Sequence, residues 1–83
     1  MQITQYLSKQ SVKCRMFENV FSYIDIPCEI KTVYVEDVGE RYCMKNGIHF
    51  YPTLIIEGDK DKIILYGNIT PAKIQEAINK VGK

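Results

Sequence analysis

The hydrophobic pattern of the first 35 residues changes period twice, and this constrains the fold more than any other feature of the sequence. Residues Ile3 to Leu7 alternate and are rich in β-branched and aromatic side chains, which predicts a short strand. From Val12 to Ile24 apolar residues recur every three or four positions, which predicts an amphipathic helix ending before Pro27. Lys31 to Val35 predicts a second strand. Two strands joined by one helix form a right-handed βαβ unit, so we expect the strands to be parallel.

The first predicted helix has one apolar and one polar face. Its apolar positions are Val12, Met16, Phe17, Val20, Phe21 and Ile24, and its polar positions are Arg15, Glu18, Asn19 and Ser22. We therefore expect the apolar set to pack on the sheet.

The second half of the chain predicts a short helix, a hairpin and a final helix. Asp37 to Asn46 is typical of a short helix that Gly47 ends. Thr53 to Glu57 and Lys62 to Tyr66 predict strands joined by the turn residues 58–61. Thr70 can cap the last helix and Pro71 suits its first position, with a predicted buried stripe of Ile74, Ala77, Ile78 and Val81.

The order β-α-β-α-β-β-α predicts an α/β fold with a four-stranded mixed sheet flanked by helices. The length of 83 residues predicts one domain spanning residues 1–83. A net charge of +1 with interspersed acids and bases argues against nucleic acid as a partner. Neither a signal peptide nor a membrane span of about 18 apolar residues is recognisable, so we expect a cytoplasmic monomer.

Three cysteines, Cys14, Cys28 and Cys43, are widely spaced and odd in number, which favours reduced thiols over a disulfide framework. Together with His49 they lack the closely spaced ligand pairs of structural zinc sites, so we expect neither a metal nor a cofactor. Cys28 and Cys43 are interpreted as surface or packing thiols and His49 as a rim residue. A single cysteine such as Cys14 is by itself most simply a small buried core residue.

Three local motifs occur in an informative order: SVKCRMF at a helix start, FYPT at the opening of the third strand, and a glycine, Gly67, after the fourth. Together they resemble the thioredoxin family over nearly the whole chain, without the extra N-terminal strand and helix of full-length thioredoxins. In that family a CxxC motif, followed by a basic residue and often Met, opens the helix; here Ser11 to Cys14 occupy it. Pro52 matches the family's cis-proline and Gly67 its glycine before the last helix.

The resemblance implies a thiol–disulfide oxidoreductase in which Ser11 occupies the position of the nucleophilic cysteine and Cys14 that of the resolving cysteine. A thiolate at a helix start is favoured by the unpaired N–H groups there, and Lys13 adds positive charge. Serine cannot form the mixed disulfide that the reaction requires. The resemblance also implies a substrate-binding set of Lys13, Tyr51, Pro52 and Gly67, with a cis Tyr51–Pro52 bond and a Tyr51 backbone free to pair with an extended segment.

Several residues depart from the subfamilies. Monothiol glutaredoxins keep the first cysteine and lose the second, which is the reverse of this chain. FYP and YGNIT replace the TVP sequence and the glycine-acid cluster of glutaredoxins, so glutathione binding is not supported. Gln10 replaces the tryptophan that precedes the thioredoxin motif, and Gln5 replaces the buried acid of the preceding strand.

The leading hypothesis is therefore a small thioredoxin- or glutaredoxin-like electron donor whose first cysteine was replaced by Ser11 through engineering, leaving it largely redox-inactive. Its expected partners are disulfide-containing proteins and a thioredoxin reductase-like enzyme. The alternative is a naturally serine-bearing thioredoxin-fold module that binds a peptide or protein without redox turnover. The residue encoded at position 11 in the source gene distinguishes the two.

Overall fold

The computed structural model describes residues 1–17 and 19–82 and places four strands in one sheet. The strands are β1 Gln2–Leu7, β2 Ile30–Tyr34, β3 Thr53–Glu57 and β4 Lys62–Tyr66. The α-helices are α1 Val12–Phe17, α2 Val35–Val38, α3 Glu40–Lys45 and α4 Pro71–Val81, and a 3₁₀ helix spans Val20–Tyr23. None of the helices described in these two ranges is long and apolar enough to cross a membrane.

The strand order β2-β1-β3-β4 confirms the mixed sheet. β1 and β2 run parallel, with Tyr6 beside Val33, and both β1–β3 and β3–β4 are antiparallel. The predicted hairpin is present, and the Gly58 N–H donates to the Asp61 carbonyl at 2.8 Å in its loop. The βαβ unit and the hairpin thus meet at the central strands β1 and β3.

Strand alternation divides the core between the two faces of the sheet. One cluster, which we call the α4-side cluster, joins Ile3, Leu7, Leu54 and Ile56 to buried residues of α1 and α4. The other, the α3-side cluster, contains Tyr6, Val33, Cys43, Ile48 and Ile55. Helices therefore cover both faces, as the element order predicts.

Helix α4 forms as predicted. The Lys73 N–H donates to the Thr70 hydroxyl at 3.3 Å, a cap of the kind that contributes about 1 kcal/mol, and Pro71 is the first helical residue. The buried stripe is confirmed and consists of Ile74, Ala77, Ile78 and Val81. Burial of a side chain such as Ile74, which is 0% exposed, contributes roughly 1.5–3 kcal/mol.

The predicted helix over 37–46 is wrong as a single element. It is two short helices, α2 and α3, because Gly39 between them has φ +89°. That left-handed backbone ends α2, where the Gly39 N–H donates to the Val35 carbonyl at 2.8 Å. Strand β2 also begins and ends one residue earlier than predicted, since Val35 belongs to α2.

The long amphipathic helix predicted after β1 is also wrong. Helix α1 ends at Phe17, the 3₁₀ helix follows, and the predicted polar position Glu18 lies outside the described residues. Within α1 the buried side chains are Cys14 and Phe17, whereas Val12 and Met16 are 67% and 72% exposed. The reason is the helical period: residues 14 and 17 share the face toward the sheet, and residues 12 and 16 lie on the opposite face.

Candidate functional site

Ser11 lies at the start of α1, where the segment 8–11 leads out of β1. Its hydroxyl accepts a hydrogen bond from the Cys14 N–H at 3.4 Å, and its carbonyl accepts from the Arg15 N–H at 3.3 Å. The Ser11 N–H donates in turn to the Ser8 carbonyl at 3.2 Å. Serine is favoured in such a capping position, so Ser11 fits its place without strain.

Cys14 lies one turn further on and points into the molecule. Its side chain is 3% exposed and belongs to the α4-side cluster. The sulfur accepts a hydrogen bond from the Ser8 N–H at 3.4 Å. The thiol is therefore covered, and the residue between Ser11 and Cys14 that lines the open surface groove is Lys13.

That open groove, of ≈ 570 Å³, runs between α1, the loop that precedes β3 and the segment that follows β4. It brings together Lys13, Pro52 and Gly67, three of the residues singled out from the sequence. The Tyr51–Pro52 peptide bond at its wall is cis, and Gly67 has φ +79°. The other lining residues are Met16, Phe17, Val20, Asn68 and Ile69.

Tyr51 precedes Pro52 but does not itself line the groove, and its side chain packs against both core clusters. Burial, and then the neighbouring Cys43 thiol, raises the pKa of the Tyr51 phenol above its ordinary value. Within residues 1–17 and 19–82, the Tyr51 N–H and C=O have no backbone hydrogen-bond partner. An extended segment could pair with these two groups.

The remaining candidates lie apart from the groove. Cys28 is half-buried beside the α4-side cluster, whereas Cys43 is fully buried on the opposite face of the sheet. His49 is exposed in the loop before β3. In the described part of the chain, no three His, Cys, Asp or Glu side chains converge as metal ligands would.

The segment 8–11 is fixed by α2, a contact that sequence reasoning missed. The Ser8 hydroxyl donates to Glu36 Oε2 at 2.7 Å, and the Lys9 N–H donates to Glu36 Oε1 at 2.9 Å. The Lys9 ammonium also pairs with Asp37 at 3.1 Å. The hydrogen bond from the Lys9 backbone, followed by that from Ser8, lowers the pKa of the Glu36 carboxyl.

A stacked aromatic pair stands on the surface near the groove and was also missed. Phe50 and Tyr66 have ring centroids 5.3 Å apart and planes 11° from parallel, and both are more than half exposed. They precede Pro52 and Gly67 in the chain, so each flanks a residue of the groove wall. Periodicity could not reveal the pair, because the two residues belong to different elements.

Solved structures of other proteins share this fold. The thioredoxin of Malassezia sympodialis superposes with a TM-score of 0.73 at 25% identity, covering 98% of this chain and 74% of that one. This chain has a thioredoxin fold. Thioredoxin 1 of Thermosipho africanus matches with a TM-score of 0.67 at 16% identity over 100% of both chains. The Schistosoma mansoni thioredoxin pre-protein matches with a TM-score of 0.68 at 21% identity, covering 95% of this chain and 76% of that one.

The sequence matches no family model and no curated protein. The thioredoxin fold is thus established by shape, and the chemistry has to be argued from the groove and its residues.

Proposed function

We propose that this chain is a thioredoxin-like thiol–disulfide exchange protein in which Ser11 stands where the attacking thiol would be. The observation that carries the proposal is the position of Ser11: its hydroxyl caps α1 over the Cys14 N–H, two residues before Lys13 on the groove wall. Pro52 and Gly67 complete that wall. A sulfur atom at position 11 would therefore stand beside an open groove, with a second thiol three residues later.

With cysteine at position 11, the exchange would proceed in two balanced steps. The thiolate introduced there attacks one sulfur of a substrate disulfide, forming a mixed disulfide and releasing one substrate thiolate. The Cys14 thiolate then attacks the protein sulfur of that mixed disulfide, which closes the intramolecular disulfide and releases the second substrate thiolate. The two released thiolates take up protons from water. The protein has lost two electrons and the substrate disulfide has gained them.

The chain with Ser11 cannot take the first step, because a hydroxyl forms no mixed disulfide and Cys14 is covered. The groove remains open to the substrate class that we propose, disulfide-containing protein segments in extended conformation. The free N–H and C=O of Tyr51 would pair with the backbone of such a segment. The three thiols of the chain are unpaired, which suits a reducing compartment such as the cytoplasm. There a thioredoxin reductase-like enzyme would reduce the intramolecular disulfide of the cysteine-bearing protein back to the dithiol.

We further propose that the natural protein carries a cysteine at position 11 and that engineering replaced this cysteine with Ser11. The Cys14 thiol and the groove are what a resolving step would use, and they serve no exchange without a thiol at position 11. The codon for residue 11 in the source gene tests this, and a serine codon there would favour the binding-module alternative.

The experiment that tests the exchange activity is reduction of insulin disulfides, with dithiothreitol as reductant and turbidity as readout. Ser11→Cys is expected to be at least about tenfold faster than the parent chain, since thiolate nucleophiles carry this reaction. Ser11→Ala is the matched control and should match the parent. Ser11→Cys with Cys14→Ser, reduced beforehand and mixed with insulin without dithiothreitol, should accumulate as a mixed disulfide with insulin on a non-reducing gel.

An inert Ser11→Cys variant that folds normally would contradict the exchange function, as would brisk turnover by the parent chain. The alternative, binding without redox turnover, is favoured by the groove itself, which is built from apolar side chains such as Met16 and Ile69 and needs no thiol. Binding of an extended peptide by the parent chain, together with a Ser11→Cys variant that shows no exchange activity, would support that alternative.

A further inference from the structure

One residue, Ser8, contacts both members of the SxxC motif through its backbone. Its N–H donates to the Cys14 sulfur at 3.4 Å, and its carbonyl accepts from the Ser11 N–H at 3.2 Å. The Ser8 backbone therefore contacts both site residues, in addition to the hydrogen bond that joins Ser11 and Cys14 directly.

The side chain of Ser8 also forms hydrogen bonds, which are exposed to solvent. Its hydroxyl donates to Glu36 Oε2 at 2.7 Å and accepts from the Gln10 N–H at 3.4 Å. The second carboxylate oxygen, Glu36 Oε1, accepts from the Lys9 N–H at 2.9 Å. One carboxylate thus holds two successive residues of the segment that leads to Ser11, and hydrogen bonds to an ionised acceptor are stronger than neutral ones.

The sheet topology explains why these residues meet. β1 and β2 are parallel, and Leu7 pairs with Tyr34 at their carboxyl ends. The residues that follow the two strands therefore emerge at the same edge of the sheet, Ser8 after β1 and Glu36 at the start of α2. In α/β sheets that edge is where ligands bind.

We infer that Glu36, acting through Ser8, is a positioning residue that holds Ser11 and Cys14 in place beside the groove. Its catalytic consequence rests on the proposed exchange function, whereas its effect on Cys14 does not. When the carboxylate is removed, the segment 8–11 loses its two hydrogen bonds to Glu36. The Ser8 backbone then moves away from the Cys14 sulfur more often, and the thiol becomes accessible.

The chain offers a matched control next to this Ser8–Glu36 clamp. Glu36 and Asp37 are both exposed, but the hydrogen bond of Asp37, at 3.1 Å, goes to the Lys9 ammonium, whereas those of Glu36 go to the Ser8 hydroxyl and the Lys9 backbone N–H. Exposed ion pairs of this kind contribute little. Asp37→Ala therefore removes a neighbouring carboxylate of α2 without releasing the segment.

The test measures alkylation of Cys14 by iodoacetamide at pH 8 in the chain as it exists, with peptide mass mapping to separate the three thiols. Glu36→Ala and Ser8→Ala are expected to accelerate Cys14 alkylation by about tenfold, because a buried thiol reacts only through local opening. Asp37→Ala and the conservative Ser8→Thr, which keeps the hydroxyl, should stay within about twofold of the parent. Cys43, fully buried in α3 on the other face of the sheet, is the internal reference and should keep its rate.

An equal acceleration of Cys14 and Cys43 would overturn the inference, since it would show a loss of stability that is not specific to the surroundings of Cys14. An unchanged Cys14 rate in Glu36→Ala would overturn it too. In the Ser11→Cys background, Glu36→Ala should lower kcat for insulin reduction by about tenfold while Asp37→Ala does not, because positioning affects the reacting groups more than substrate capture.

The two failures are distinguishable. If the Ser11→Cys variant is inert but Glu36→Ala selectively accelerates Cys14 alkylation, the exchange function is wrong and the positioning role of Glu36 is supported. If the Ser11→Cys variant is active but Glu36→Ala leaves Cys14 alkylation unchanged, the positioning role of Glu36 is wrong and the exchange function is supported.

Discussion

Tyr51 combines a packed side chain with an unpaired backbone. Its ring packs against both apolar clusters, and its backbone lies beside the cis-proline with no internal backbone partner in the described ranges. The side chain therefore anchors the loop before β3. Substitution of the ring would act on the fold, whereas the pairing with an extended segment that we propose would use the main chain.

The raised pKa of Tyr51 implies a pH dependence at the alkaline end. Burial, then the Cys43 thiol, raises the pKa of the folded-state phenol above 10.0, so the folded chain keeps a proton that the unfolded chain releases. The associated stability is present below about pH 10 and is lost as the pH rises through the folded-state pKa. Absorbance at 295 nm should show a tyrosine that titrates above pH 10 in the parent chain and is absent from Tyr51→Phe.

Tyr51→Phe supplies the comparison. Its urea-unfolding free energy should fall less steeply above about pH 10 than that of the parent chain. Identical slopes for the two proteins would count against the assigned environment of Tyr51.

At the scale of elements, the close approach of the β3–β4 hairpin to α4 depends on the absence of a side chain at Gly58. A Cβ there would lie 2.6 Å from Val81 Cγ1 and 3.0 Å from the Val81 carbonyl oxygen. The backbone of the hairpin loop at Gly58 thus packs directly against Val81 in the last turn of α4.

Gly58→Ala is therefore expected to destabilise the fold by about 1–3 kcal/mol, the cost of overpacking a filled site. Urea unfolding measures it, and Asp59→Ala in the same exposed loop is the control, with an expected change within about 0.5 kcal/mol. A Gly58→Ala variant as stable as the parent would show that α4 can shift away from the hairpin at no cost.

Helix α1 is the element whose length matters most for the site. Its six residues end at Phe17, so it provides less of a helix dipole at position 11 than the longer helix predicted from the sequence. In the exchange function that we propose, the nearby charge of Lys13 and the hydrogen bonds of the segment 8–11 would therefore contribute more to the placement of a reactive group there.

For the whole molecule, the sheet order makes stability uneven. β1 and β3 have a neighbour on each side, and both contribute to the two core clusters, whereas β2 and β4 are edges. The segment 35–45 is divided into two short helices with mostly exposed side chains. Opening of α2 and α3 can therefore occur without loss of the central strands.

Native-state hydrogen exchange should reproduce this gradient. Amides of Leu54 and Ile55 in β3 and Tyr6 in β1 are expected to exchange slowest, near the global unfolding limit, and those of α2 fastest among the helices. Exchange followed by NMR gives the rates. Slower exchange in β4 or α2 than in β3 would contradict the order.

What the sequence determined by itself is local. Alternation identified four strands to within a residue, and the Thr70 cap, Pro71 and the apolar stripe defined α4, because these signals depend on neighbours a few positions apart. The order of elements then predicted the sheet, and the motif resemblance selected Lys13, Pro52 and Gly67, which the fold brings to one groove.

Tertiary structure decided the rest. Which face of α1 meets the sheet, where the helix after β2 breaks, and which residues complete the groove depend on packing between distant elements. The Ser8–Glu36 contact joins residues 28 apart in sequence, and no period links them. They meet because two parallel strands end at the same edge of the sheet, which is a property of the assembled chain.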